Sequence, residues 1–87
     1  MRDQTIFALS SGAGKAGIAV IRVSGSEALL TLGRLTGLTS PTIRRAHRVK
    51  ITKPETMEII DDGLALFFPA PNSFTGEDVV EFHLHGS

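Results

Sequence analysis

Between Val79 and His85 the chain alternates with period two: Val80, Phe82 and Leu84 fall on one face, and Val79, Glu81, His83 and His85 on the other. Successive side chains of an extended chain point to opposite sides, so this is the pattern of a strand half buried in a sheet. It requires a sheet with an apolar inner face, and it gathers a carboxylate and two imidazoles on the other face. The run that leads into it, Pro69 to Asp78, is dense in turn residues. Such a stretch reads as a long ordered loop, a place where binding groups collect on a rigid scaffold.

Earlier in the chain, Thr5 to Ser10 has the β-branched and aromatic content of a strand, and the run from Ser10 to Gly17 that follows is small and flexible. Gly14-Lys15 invites comparison with a phosphate-binding loop. The Walker A spacing fails, because its first glycine would fall on Leu9 and Ala16 follows the lysine where Ser or Thr is needed. A strand-like segment also follows where a phosphate cradle should open a helix. The reading is a flexible connection.

Gly17 to Ser24 is the segment richest in β-branched residues. Ile18, Val20, Arg22 and Ser24 share one face, and Ala19, Ile21 and Val23 the other. Apolar residues on both faces predict a central strand, in which Arg22 needs an acceptor. That acceptor is either a structural carboxylate partner, solvent at the strand end, or a ligand anion or carbonyl.

Ser26 is placed to cap a helix, with Glu27 in its first turn, apolar positions at Ala28, Leu29, Leu30, Leu32 and Leu35, and Gly33 or Gly37 to end it. Pro41 breaks the chain before a basic stretch, Ile43 to Ile51, that reads as an edge strand with a charged outer face. Nucleic-acid backbone could meet those charges, although no aromatic residues are interleaved for base stacking. Asp62-Gly63 predicts a hairpin tip, and the strand after it ends at Pro69. Asp61 and Asp62 are adjacent, so on a strand they should face opposite ways and share no metal.

An 87-residue chain is room for one small domain or part of a larger one. Such a chain buries only about 60 to 65% of its unfolded surface. With no cysteine there is no disulfide, thiolate metal site or cysteine nucleophile. Nine basic residues balance nine acidic ones, so no global charge draws the chain to nucleic acid. No apolar run approaches the roughly 20 residues of a membrane helix, and no signal-peptide pattern opens the chain. The expected setting is cytoplasmic, away from membranes. Gly86-Ser87 could enter a further helix, which suggests an N-terminal fragment.

On the last strand, Glu81, His83 and His85 succeed one another at about 6 to 7 Å. A His-x-His pair with a nearby carboxylate can bind a transition metal, yet one strand supplies few ligands and His47 is the only other histidine. A polar sheet face and an organic ligand with Glu81 as hydrogen-bond acceptor stand beside that reading.

Three segments together, Gly17-Ile-Ala-Val-Ile-Arg-Val-Ser-Gly25, Leu64 to Glu81, and His85-Gly86, look like the N-terminal domain of the MnmE (TrmE) family of tRNA uridine-modification GTPases. The resemblance spans nearly the whole chain and is weakest from Thr36 to Asp62. It implies an α/β (α+β) fold, a small mixed β-sheet with one or two helices, similar to the folate-binding domain of aminomethyltransferases. Residues 1–87 would then be an incomplete N-terminal folate-binding and dimerisation domain. Its ligand would be a one-carbon derivative of tetrahydrofolate, 5-formyl- or methylene-tetrahydrofolate, and the family's folate contacts fall on Arg22 and Glu81. Phe74, Val79 and the Gly12 to Gly17 loop are candidate pocket walls. No catalytic or metal site is expected in this segment. GTP, magnesium and potassium would belong to an absent GTPase domain. The full-length protein would be a homodimer that works with MnmG (GidA) on the wobble uridine, U34, of tRNA. The alternatives are a separate folate-binding module of the aminomethyltransferase type, or a metal-dependent enzyme using His83 and His85.

Overall fold

The computed structural model describes residues 5–9, 19–73 and 75–85. Alternating and β-branched segments form β1 (Ile6–Leu9), β2 (Ala19–Ser24), β3 (His47–Thr52), β4 (Ile59–Phe68) and β5 (Val79–Leu84), and the leucine-rich segment forms α1 (Ala28–Thr36). The strands lie in the order β1-β2-β5-β4-β3. The α+β class expected from the resemblance is present. Its sheet was expected to be mixed, whereas every described pairing is antiparallel. The reason is the route of the chain: α1 follows β2 and delivers it to β3 at the far edge, so the helix joins strands that are not neighbours and makes no parallel pair.

The core lies between α1 and one face of the sheet. Cross-strand register stacks Ile21 beside Phe82, Val23 beside Val80, Ala65 beside Phe82 and Phe67 beside Val80. Ala28 and Leu32 of α1 pack on this apolar face together with Val49 and Ile51 of β3. Fully burying a side chain of this size contributes about 1.5 to 3 kcal/mol, so this layer rather than any surface ion pair holds the domain together.

Local signals succeeded at some ends and failed at others. Gly37 closes α1 in the left-handed conformation at φ 82°, donating its N–H to the Gly33 carbonyl at 2.8 Å. At the other end Glu27, not Ser26, occupies the cap position, and no side chain of the helix caps it. The Glu27 N–H instead donates to the hydroxyl of Thr5, the residue before β1, at 3.1 Å, so a distant residue supplies an acceptor that the local sequence was expected to supply.

β3 lies at the sheet edge as expected, with Arg48 and Lys50 exposed and Val49 and Ile51 buried. The hairpin before β4 turns elsewhere than expected. Its tip is at residues 54–56, closed by the Met57 N–H to the Lys53 carbonyl at 2.7 Å and the Lys53 N–H to the Glu58 carbonyl at 2.9 Å. Asp62-Gly63 lies inside β4, between Lys50-Val49 on one side and Leu84 on the other. Gly63 is needed there for close approach, since a Cβ would come within 2.2 Å of the His83 carbonyl oxygen. β4 ends one residue before Pro69, where the missing N–H stops the ladder.

Candidate functional site

Strand alternation sends Arg22, Glu81 and His83 to the sheet face opposite α1, with Leu64, Leu66 and Phe68 of β4 on the same side. Arg22 and Glu81 are direct cross-strand partners, and on its other side Glu81 lies opposite Leu66. The Arg22 Nε donates to Glu81 Oε2 at 2.7 Å, with the two side chains 32% and 15% exposed. His83 places Nε2 2.9 Å from the other carboxylate oxygen, Oε1. Each oxygen of Glu81 thus has a partner of its own.

Burial pushes the Glu81 carboxyl upward, but the hydrogen bond from His83 and the hydrogen bond and charge of Arg22 outweigh it, leaving the group below the usual glutamate value. Glu81 is therefore a carboxylate at neutral pH, an acceptor with about four lone-pair directions. Two are used by Arg22 and His83, one on each oxygen. The other two can receive a pair of parallel donors.

At the end of this face, the loop before β5 is tied to the end of β2. The Gly25 N–H donates to the Asp78 carbonyl at 2.9 Å, the hydroxyls of Ser24 and Thr75 lie 2.7 Å apart, and the Ala70 N–H donates to the Asp78 carboxylate at 2.8 Å. Through these bonds the described residues of the loop form a border to the site. Val79, the first residue of β5, is buried. The other anticipated walls, Phe74 and the Gly12 to Gly17 loop, lie outside the described residues.

The two residues singled out from the sequence, Arg22 and Glu81, are brought together. Two other expectations require revision. His83, one of the two candidate ligands of the metal reading, is half buried against Glu81. The Glu81, His83, His85 face does not converge as a ligand set, because each imidazole is engaged with a different carboxylate. His85 Nδ1 lies 3.2 Å from Asp61 Oδ1 and 3.3 Å from Asp62 Oδ1. Asp61 and Asp62, expected on opposite faces, therefore turn toward one imidazole, and the possible ligand atoms of the three residues lie within 4.8 Å of one another. The register shifts between Ile51 and Thr52 and leaves Ile60 unpaired just before Asp61, and such a bulge bends and twists the strand away from regular alternation. The hydrogen bond with Asp61, followed by the charges of Asp62 and Asp61, raises the His85 pKa. The Asp61 carboxyl is lowered first by His85 and then by the Asp62 backbone N–H.

This cluster adjoins a surface cleft of about 570 Å³ lined by Arg48, Lys50, Asp62, Leu64 and His85. Sequence reasoning did not anticipate the cleft. The alternating charges of β3 were visible, but their meeting with the end of β5 depends on β4 lying between them.

The sequence profile described as the N-terminus of the GTP-binding protein TrmE matches residues 5–87. A tRNA modification GTPase MnmE of Paramagnetospirillum magneticum is 57% identical over 84 residues, covering 97% of this chain and 19% of that protein. The corresponding protein of Parvibaculum lavamentivorans is 55% identical over 83 residues, 95% of this chain and 19% of its own length. In Danio rerio, the mitochondrial 5-taurinomethyluridine-[tRNA] synthase subunit GTPB3 is 52% identical over 84 residues, 97% of this chain and 17% of that protein. The chain spans about a fifth of the length of these relatives.

Proposed function

We propose, since the chain belongs to the family of GTP-binding protein TrmE N-termini, that it is the folate-binding and dimerisation domain of a cytoplasmic tRNA modification GTPase. In this reading a one-carbon derivative of tetrahydrofolate lies on the open sheet face and serves modification of the wobble uridine of tRNA. The partners are a second copy of the chain and MnmG, and GTP hydrolysis with its magnesium and potassium belongs to a domain outside these 87 residues.

The observation that carries the reading is the cross-strand pair Arg22 and Glu81, half buried on the face that α1 leaves uncovered. The pterin edge presents a ring N–H beside an exocyclic amino group, two parallel donors that a single carboxylate accepts. Glu81 is ionised and has an unused lone-pair direction on each oxygen, which fits that edge. Arg22 supplies a planar fork of donors for a carbonyl or carboxylate of the same ligand. Leu64, Leu66 and Phe68 offer apolar surface beside them, as a mostly apolar ligand site requires. The bound folate would supply the one-carbon unit; the residues here bind and orient it.

The test is a calorimetric titration of 5-formyltetrahydrofolate into the full-length protein that carries this domain. Replacing Glu81 or Arg22 by Ala should weaken binding by about 2 to 5 kcal/mol, the effect of removing one partner from a desolvated charged contact. Unchanged affinity in both variants would refute the site.

A further inference from the structure

We propose that His83 is a positioning residue for the ligand-binding carboxylate: with Arg22 on one oxygen and the His83 imidazole on the other, Glu81 is fixed in one plane, with one acceptor direction per oxygen turned to the ligand. This rests on the folate reading of the site and extends it to a residue that the sequence marked only as a possible metal ligand and that the family resemblance did not mark.

The geometry requires both clamps. A glutamate has three side-chain torsions, the last of them broad, so a single hydrogen bond leaves the carboxylate free to rotate about that bond. Arg22 Nε fixes Oε2 at 2.7 Å from β2, and His83 Nε2 fixes Oε1 at 2.9 Å from the same strand as Glu81. These contacts approach from two strands and define the carboxylate plane. His83 is itself held: its cross-strand neighbours are Val20 on β2 and Leu64 on β4, two apolar side chains that flank a half-buried ring. Its own backbone is pinned by the close approach of Gly63 to its carbonyl. Groups that can recognise an amidine-like edge gain most when their orientation is set before the ligand arrives, because the ordering cost is not incurred on binding.

The experiment compares His83→Phe, which keeps a flat ring but has no polar nitrogen, with His83→Gln, which restores an amide donor at similar reach. Both are made in the full-length protein, with Glu81→Ala as reference. Phe should weaken 5-formyltetrahydrofolate binding by about ten- to a hundredfold, the effect of losing a hydrogen bond to a charged group, and Gln should recover most of it. If Phe binds as tightly as the parent while Glu81→Ala does not, the positioning role is wrong and the folate site stands. If Glu81→Ala also binds normally, the folate reading fails, and the clamp is judged in the unliganded protein. There the Glu81 carboxyl should titrate at higher pH in His83→Phe than in the parent, and the His83 ring ¹⁵N resonances should move in Glu81→Gln. Absence of both changes would overturn the clamp itself. Thermal melts of each variant establish that the fold is retained, and His83→Gln carries the comparison if the Phe variant does not fold.

Discussion

Replacing Gly63 by Ala should destabilise the chain although the residue sits in a strand, where alanine ordinarily improves on glycine. Removing a glycine restricts the unfolded chain, which by itself would stabilise by about 0.5 to 1 kcal/mol. Against this stands the added Cβ, 2.2 Å from the His83 carbonyl oxygen and 3.1 Å from a methyl of Leu84. The methyl belongs to a flexible side chain and can retreat. The carbonyl belongs to the backbone of β5, which would have to withdraw by almost 1 Å merely to reach 3.0 Å. Forcing extra volume into a packed site costs about 1 to 3 kcal/mol, and disturbing one ladder hydrogen bond adds about 1 kcal/mol. The expected net loss is about 2 kcal/mol. With a urea dependence of about 1 kcal/mol per molar for so small a domain, the unfolding midpoint should fall by about 2 M. Amide exchange should accelerate around residues 63–65 and 82–84, where β4 and β5 pair, before it does so in α1. A midpoint that stays the same or rises would refute the close-approach argument.

Two further outcomes follow from the ionisable groups. Because the Glu81 carboxyl is lowered in the folded chain, its pairing stabilises fully above the unfolded value and the stabilisation is lost as the pH falls through the lower folded value. The difference in urea midpoint between the parent and Glu81→Gln should therefore shrink between about pH 5 and pH 2, and a difference that persists unchanged into acid would contradict the pairing. His85 has the opposite sign: its raised value means that any stabilisation is present below the ordinary imidazole range and disappears as the pH rises through the folded value. Its ring should titrate above that range by NMR, and Asp61→Asn should bring the midpoint down. An unshifted midpoint in that variant would show that Asp61 does not hold the imidazole.

Period-two alternation identified the two faces of β2 and β5 correctly, so the sequence alone places Arg22 and Glu81 on their faces. That worked because alternation is a property of the extended backbone, independent of what lies beside it. Alternation failed at Asp61 and Asp62 for the complementary reason. A bulge opposite Ile51 and Thr52 is decided by the partner strand, and nothing in the local residues announces it. Asp62-Gly63 misled in the same manner: the dipeptide suits a turn, but the space between β3 and β5 demanded a residue without a Cβ. At the start of α1, Ser26 was a good local cap, and the hydroxyl of Thr5, 22 positions away from Glu27, took up the N–H there.

By itself the sequence determined that the chain would build a sheet with one apolar face, a leucine-bearing helix to cover it, and a charged edge strand, because side-chain period and turn chemistry are local quantities. It also marked Arg22 and Glu81 as polar residues on apolar strands. Only the tertiary structure decided that these two stand opposite each other, that His83 completes the clamp on the carboxylate, and that His85 joins Asp61 and Asp62 instead. Those outcomes depend on strand order and register. They are set when β5 inserts between β2 and β4, a choice governed by packing across the whole sheet.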